Sequence, residues 1–145
     1  MSIKRMDHLG ITVTDLAAAI AFFEELGMEL EGKMHMEGDL VDRVIGIEGS
    51  RSEIAMMRTP DGQYKIEFSQ FEAPQSIDGS SHALVHALGL RHVAFIVDDL
   101  DDTLARLAPH GAEIVGHLEQ YEDIFRLCYV RGPEGILVEL AEELR

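Results

Sequence analysis

A chain of 145 residues, 46% of them hydrophobic, is long enough to bury a core and too apolar to be a disordered polypeptide. Twelve Lys and Arg against 27 Asp and Glu give a formal net charge of −15, which disfavours nucleic acid and anionic membranes as partners. No apolar run reaches the length of a membrane span and no signal peptide is legible. The single cysteine, Cys128, rules out an intramolecular disulfide and fits a reducing cytoplasm.

Residues 7–13 alternate, with His8, Gly10 and Thr12 on one face and Leu9, Ile11 and Val13 on the other, as in a strand. Thr14 or Asp15 can then cap a helix whose apolar stripe is Leu16, Ile20, Phe23 and Leu26, ended by Gly27. Met28–Met34 reads as a second strand. Residues 37–47 hold short apolar pieces among acids and have no clear period. Glu53–Met57 and Tyr64–Phe71 read as a hairpin about the turn Thr59-Pro-Asp-Gly62. From Glu72 to Ser81 the composition shifts to Pro, Ser, Asp and Gly, a linker signal, and His82–Leu88 reads as a short helical turn.

The second half repeats the plan. His92, Ala94 and Ile96 oppose Val93, Phe95 and Val97 in a strand, and Asp98 or Asp99 caps a helix built on Leu100, Leu104 and Leu107. Pro109 and Gly111 end that helix. Ala112–His117, Phe125–Val130 and Gly135–Ala141 follow as strands, with Gly132-Pro-Glu-Gly135 turning between the last two. The halves are in register: His8 and His92, Asp15 and Asp99, Leu16 and Leu100, Gly27 and Gly111, and Gly32 and Gly116 are each 84 residues apart. The expectation is an α+β fold, one domain over 1–145. It comprises two βαβββ modules, 4–72 and 89–145, joined by a linker at 73–88.

Each last strand sets an acid in an apolar run: Glu67 in Tyr64-Lys-Ile-Glu-Phe-Ser69, and Glu139 in Gly135-Ile-Leu-Val-Glu-Leu140. A central-strand carboxylate carries a large desolvation cost unless something positive offsets it. By alternation the bulky neighbours Ile66, Phe68, Val138 and Leu140 point to the helices. The acids share their faces with Ser69 and Ala141, as His8 does with Gly10 and His92 with Ala94. A single strand histidine is ordinarily a hydrogen-bonded core group. The same residue types at matching positions of two modules point instead to a divalent cation ligated by His8, Glu67, His92 and Glu139. His82 and His86 have i, i+4 spacing but lie in a linker-like stretch and read as surface helix. His35, His110 and His117 fall near turns or element ends, and Cys128 reads as core.

At these residues the chain resembles the vicinal oxygen chelate superfamily, which includes glyoxalase I, methylmalonyl-CoA epimerase, extradiol dioxygenases and bleomycin-resistance proteins. The most specific segments are Asp7–Leu16, Gly89–Leu100 and Gly132–Leu140. The resemblance implies two βαβββ modules whose mixed sheets curl around a metal, commonly in a homodimer. The His/Glu/His/Glu set is similar to that of glyoxalase I, a lyase that isomerises a thiol hemithioacetal while zinc or nickel holds the enediolate. It implies that Glu67 or Glu139 also moves the proton; cobalt and manganese suit the same ligands. The epimerase acts on a thioester, usually has glutamine in place of Glu67, and would place a separate catalytic acid near Glu53. An extradiol dioxygenase needs two histidines and one carboxylate, so a fourth ligand counts against it. Bleomycin-resistance proteins bind a drug without chemistry and generally lack the full ligand set. Arg43, Arg58, Arg91 and Arg126 are the available cationic anchors for a substrate, with Arg91 expected to point away from His92. Whether the cleft lies within one chain or between two is open.

Overall fold

A computed structural model describes residues 2–79 and 82–145; Ser80 and Ser81 of the expected linker lie outside the described residues. The chain divides into two compact units, Met1–Ile77 and Asp78–Arg145.

The first unit runs β1 (Leu9–Thr12), α1 (Leu16–Leu26), β2 (Glu29–Glu37), α2 (Asp39–Ile45), β3 (Arg51–Arg58) and β4 (Lys65–Ala73). Its open sheet has the order β1-β4-β3-β2, with β1 parallel to β4 and the other pairs antiparallel. In the second unit, β5 (His92–Ile96), α3 (Leu100–Leu107), β6 (Glu113–Tyr121), β7 (Phe125–Arg131) and β8 (Leu137–Glu143) repeat the order as β5-β8-β7-β6. The α+β architecture of two βαβββ modules is therefore present, with a short extra helix in the first.

The repeat extends to individual hydrogen bonds. Asp15 Oδ1 accepts from Ala18 N and Asp99 Oδ1 from Asp102 N, so Asp15 and Asp99 are the capping residues that the sequence left between two candidates each. A second acceptor reaches each helix start from the last strand of its unit. Leu16 N donates to Gln70 Oε1 (2.8 Å) and Leu100 N to Glu142 Oε1 (2.7 Å). Thus a helix and a strand distant in sequence are tied at the same point in both copies. Gly27 and Gly111 end the two helical stretches at φ 124° and 85°, a region that side chains with a Cβ avoid.

In the first unit the core consists of Leu16, Ala19, Phe22 and Phe23 of α1 against Ala55, Met57, Ile66 and Phe68 of the sheet. The buried stripe is rotated from the one read by period, because Ala19 and Phe22 take the places assigned to Ile20 and Leu26. In the second unit Leu100, Thr103 and Leu107 pack with Cys128, Val130, Val138 and Leu140 as neighbours in the buried set. Burial pushes the Cys128 thiol up, against a smaller pull down from the Arg126 charge. The native chain is therefore expected to resist thiol-specific reagents and to react fully only in denaturant, a difference that thiol titration in both conditions reads directly.

Several expectations are corrected. The unreadable stretch 37–47 contains α2, started after Gly38 and stopped at Gly46 with φ 76°. Strand β2 runs to Glu37 rather than Met34, and β6 to Tyr121 rather than His117. His35 and His117 therefore sit within strands, not at element ends. The segment 82–88 forms no helix; a single turn bond, Ala87 N to Leu84 O, is what its sequence supports. His82 has φ 61°, and its backbone nitrogen would lie 2.6 Å from a Cβ added at Gly135. Arg131 closes this corner by donating to Gly135 O and Ala83 O. Gly135→Ala is expected to cost about 1–3 kcal/mol through that clash and its own φ of 81°, seen as a lower urea midpoint.

Candidate functional site

Strand β1 pairs with β4 so that Gly10 lies opposite Glu67 and Thr12 opposite Ser69. Ile66 and Phe68 are buried towards α1, so alternation turns Glu67 to the opposite, open face of the sheet. His8, just ahead of β1, comes to the same place. Its Nδ1 is 2.7 Å from Asp7 Oδ2, and since a carboxylate accepts only, Nδ1 is the donor. That bond holds the Asp7 carboxyl below its ordinary range, with Arg5 and Lys65 adding to the effect. The far nitrogen, Nε2, faces Glu67 Oε2 at 3.7 Å, too far for a hydrogen bond.

The second unit repeats this arrangement with one addition. His92 Nε2 lies 3.5 Å from Glu139 Oε1, and Ala94 is opposite Glu139 in the parallel β5–β8 pair. Tyr129 of β7 is in register with Glu139, and its ring lies 5.0 Å from the His92 ring at 46°. Burial raises the Tyr129 hydroxyl pKa, helped by the Glu139 charge and a hydrogen bond to that carboxylate. Tyr129 is a site residue that the sequence reading missed. Cys128 and Val130 are core, so alternation alone places Tyr129 on the Glu139 face. Neither acid is deeply buried: the Glu67 and Glu139 side chains are 28% and 24% exposed, so only part of the expected desolvation cost is incurred. Leu137 shares the Glu139 face and is buried nonetheless, so that face is not lined by small groups alone.

The family model described as Glyoxalase/Bleomycin resistance protein/Dioxygenase superfamily matches residues 5–140. The chain belongs to this superfamily. A crystal structure of a glyoxalase family protein from Bacillus cereus is 50% identical and superposes with a TM-score of 0.97, over 100% of this chain and 97% of that one. The uncharacterized protein YaeR of Escherichia coli (strain K12) is 28% identical, over 99% of each chain. Two more distant structures share the fold. One is a mutant of glyoxalase I from Zea mays (18% identity, TM-score 0.65, 94% of this chain and 45% of that one). The other is TnmS3, an antibiotic binding protein from Streptomyces sp. CB03234 (19%, 0.63, 99% and 98%). The same fold thus occurs in a glyoxalase I and in an antibiotic binding protein.

Superfamily enzymes often use a divalent metal, and the donors in each pair suit one. An imidazole nitrogen and a carboxylate oxygen stand 3.5–3.7 Å apart, near the roughly 3 Å between neighbouring ligand atoms on an ion with bonds of about 2.1 Å. The Asp7 carboxylate behind His8 is the kind of outer partner that orients a metal-binding imidazole.

Other candidates fare differently. Glu53 pairs with Gln70, whose side chain reaches the start of α1, so Glu53 lies on the helix-bearing face, opposite to Glu67. It cannot stand beside Glu67 as the separate acid of an epimerase. Instead its carboxylate is 2.6 Å from His35 Nδ1, while Glu37 is 2.7 Å from Nε2. The bond to Glu37, and then that to Glu53, raises the His35 pKa. Among the proposed anchors, Arg126 is held by both oxygens of Asp101 and Arg58 approaches Glu29 at 3.7 Å. The Arg91 Nε is buried without a hydrogen-bond partner among the described residues. Arg43 lies on α2, beside an open depression lined with Asp39, Asp42 and Glu48. No helix among the described residues is long and apolar enough to cross a membrane.

Proposed function

We propose that the chain is a divalent-metal-dependent enzyme of the glyoxalase I type, moving a proton between adjacent carbons of a small thiol adduct. The observation that carries the reading is the repeated pair, His8 with Glu67 and His92 with Glu139, each with an imidazole Nε2 facing a carboxylate across 3.5–3.7 Å. In this reading His8, Glu67, His92 and Glu139 are the ligands for zinc, nickel, cobalt or manganese. When bound, such a cation polarises a substrate carbonyl and makes the neighbouring C–H more acidic.

The remaining work falls to the chain itself. Asp7 holds the His8 ring so that Nε2 faces the site. Tyr129 stands beside Glu139 in the β7–β8 register and crowds that side of the carboxylate, which favours Glu139 as the fixed ligand. Glu67 is the better proton carrier: it takes the proton from the sulfur-bearing carbon and returns it to the adjacent one. A homodimer in the cytoplasm is the expected working form. A thioester epimerase is the weaker reading, because Glu67 stands where glutamine is usual and Glu53 faces away.

Metal analysis of untagged protein tests this. A loss of about one equivalent per chain relative to the wild type in both His92→Ala and Glu67→Ala, with solvent deuterium entering a hemithioacetal product of the wild type, is the expected result. A metal-free chain that turns over neither hemithioacetal nor methylmalonyl-CoA but retains a planar drug would replace it with sequestration.

A further inference from the structure

We propose a second divalent-cation site, on the helix-bearing face of the first sheet, formed by His35, Glu53 and Glu72. Three strands supply it: β2 carries His35, β3 Glu53 and β4 Glu72. A ring nitrogen and two carboxylate oxygens from these residues all lie within 4.8 Å of one another. The site is separate from the His8–Glu67 pair, because Glu53 and Glu67 point to opposite faces of the sheet.

Three features go beyond the proximity of polar groups. Glu72 is the extra residue of a β-bulge: Ser52 pairs with Phe71 and Arg51 with Ala73, leaving Glu72 unpaired between them. Alternation from Phe68 and Gln70 puts Glu72 on the helix-bearing face with His35 and Glu53, and the bulge leaves it without a cross-strand partner. Next, Glu37 occupies Nε2 of His35 from behind, so the imidazole presents Nδ1 to Glu53 with its orientation fixed. That is the outer carboxylate of a carboxylate–histidine–metal arrangement. Finally, Glu37, Glu53 and Glu72 surround one imidazole, and among the described residues no lysine or arginine pairs with any of them. The cluster keeps excess negative charge whatever the state of the ring. One nitrogen and two carboxylate donors suit zinc, cobalt or nickel, with water completing the shell. The cation replaces the Nδ1 proton now shared with Glu53, and that proton leaves to solvent.

Titration with Co²⁺ of the full chain carrying His8→Ala and His92→Ala, read by visible absorption and by histidine ring C–H resonances, tests the site apart from the four-residue reading. One saturable equivalent is expected in that background. Adding His35→Ala should abolish it, and Glu37→Gln should weaken it by about 10- to 100-fold. Glu72→Gln, isosteric and exposed, should weaken it at least as much without disturbing the fold. No saturable equivalent, or one indifferent to both His35→Ala and Glu72→Gln, overturns the proposal. Equal stoichiometry in the wild type and the His8→Ala/His92→Ala chain would count against the four-residue centre alone and leave this site standing.

Discussion

Glu67→Gln is expected to lower turnover by about two to four orders of magnitude, the usual contribution of a positioned acid–base group. The substituted amide keeps the size of the carboxylate and an oxygen lone pair, so the cation should remain bound at near its wild-type stoichiometry. What it loses is the capacity to accept a proton at neutral pH. Glu139→Gln should behave differently. In the reading that makes Glu139 the fixed ligand beside Tyr129, the change should fall first on metal affinity, and Tyr129→Phe should reproduce a weaker form of the same loss. Steady-state rates with metal in excess, alongside metal content by elemental analysis, separate the two positions. If Glu67→Gln retained wild-type turnover while Glu139→Gln abolished it at full metal occupancy, the assignment of roles would be reversed.

The duplication was readable because it rests on chemistry that few alternatives satisfy. A helix needs a capping oxygen, and Asp15 and Asp99 supply it at a spacing of 84 residues. A parallel strand pair needs a fixed register, and Val13 N to Ser69 O recurs as Val97 N to Ala141 O. Glu67 and Glu139, like Gln70 and Glu142, are 72 residues apart; the offset shrinks from 84 because the first unit carries α2 and a longer middle. That helix escaped notice for a physical reason. It is 7 residues long with no buried side chain, so no apolar stripe marks it. The His35–Glu53–Glu72 cluster was hidden because its members come from three strands that are distant in sequence. Period-two reasoning assigns faces within a strand but not the register between strands, which sets His35 opposite Glu53 and Glu53 opposite Gln70. Tyr129 follows from alternation alone, since its neighbours Cys128 and Val130 are core.

Phe23→Ala should cost about 3–5 kcal/mol, the range for removing a fully buried aromatic ring. The Phe23 ring lies 5.1 Å from Phe22 in an edge contact and 4.9 Å from Phe68, and all three side chains are sealed from solvent. Little around the cavity can collapse into it, since Ala19, Ala55 and Met57 are already packed on the same side. Against a typical total of about 5–15 kcal/mol, the loss would bring the chain close to its unfolding threshold. The effect should also reach the chemistry. Phe68 and Glu67 are adjacent on β4, one pressed against α1 and the other facing the site, so loosening the back of that strand unsettles its front. Urea unfolding followed by far-UV circular dichroism should show a lower midpoint. If His8 and Glu67 ligate a cation, adding it should recover part of the lost stability by mass action, since it binds the folded chain in preference. Recovery that is absent in Phe23→Ala/Glu67→Ala but present in Phe23→Ala would tie the core behind β4 to the ligand in front of it. A midpoint unchanged by Phe23→Ala would mean that the ring cluster does not hold α1 to the sheet.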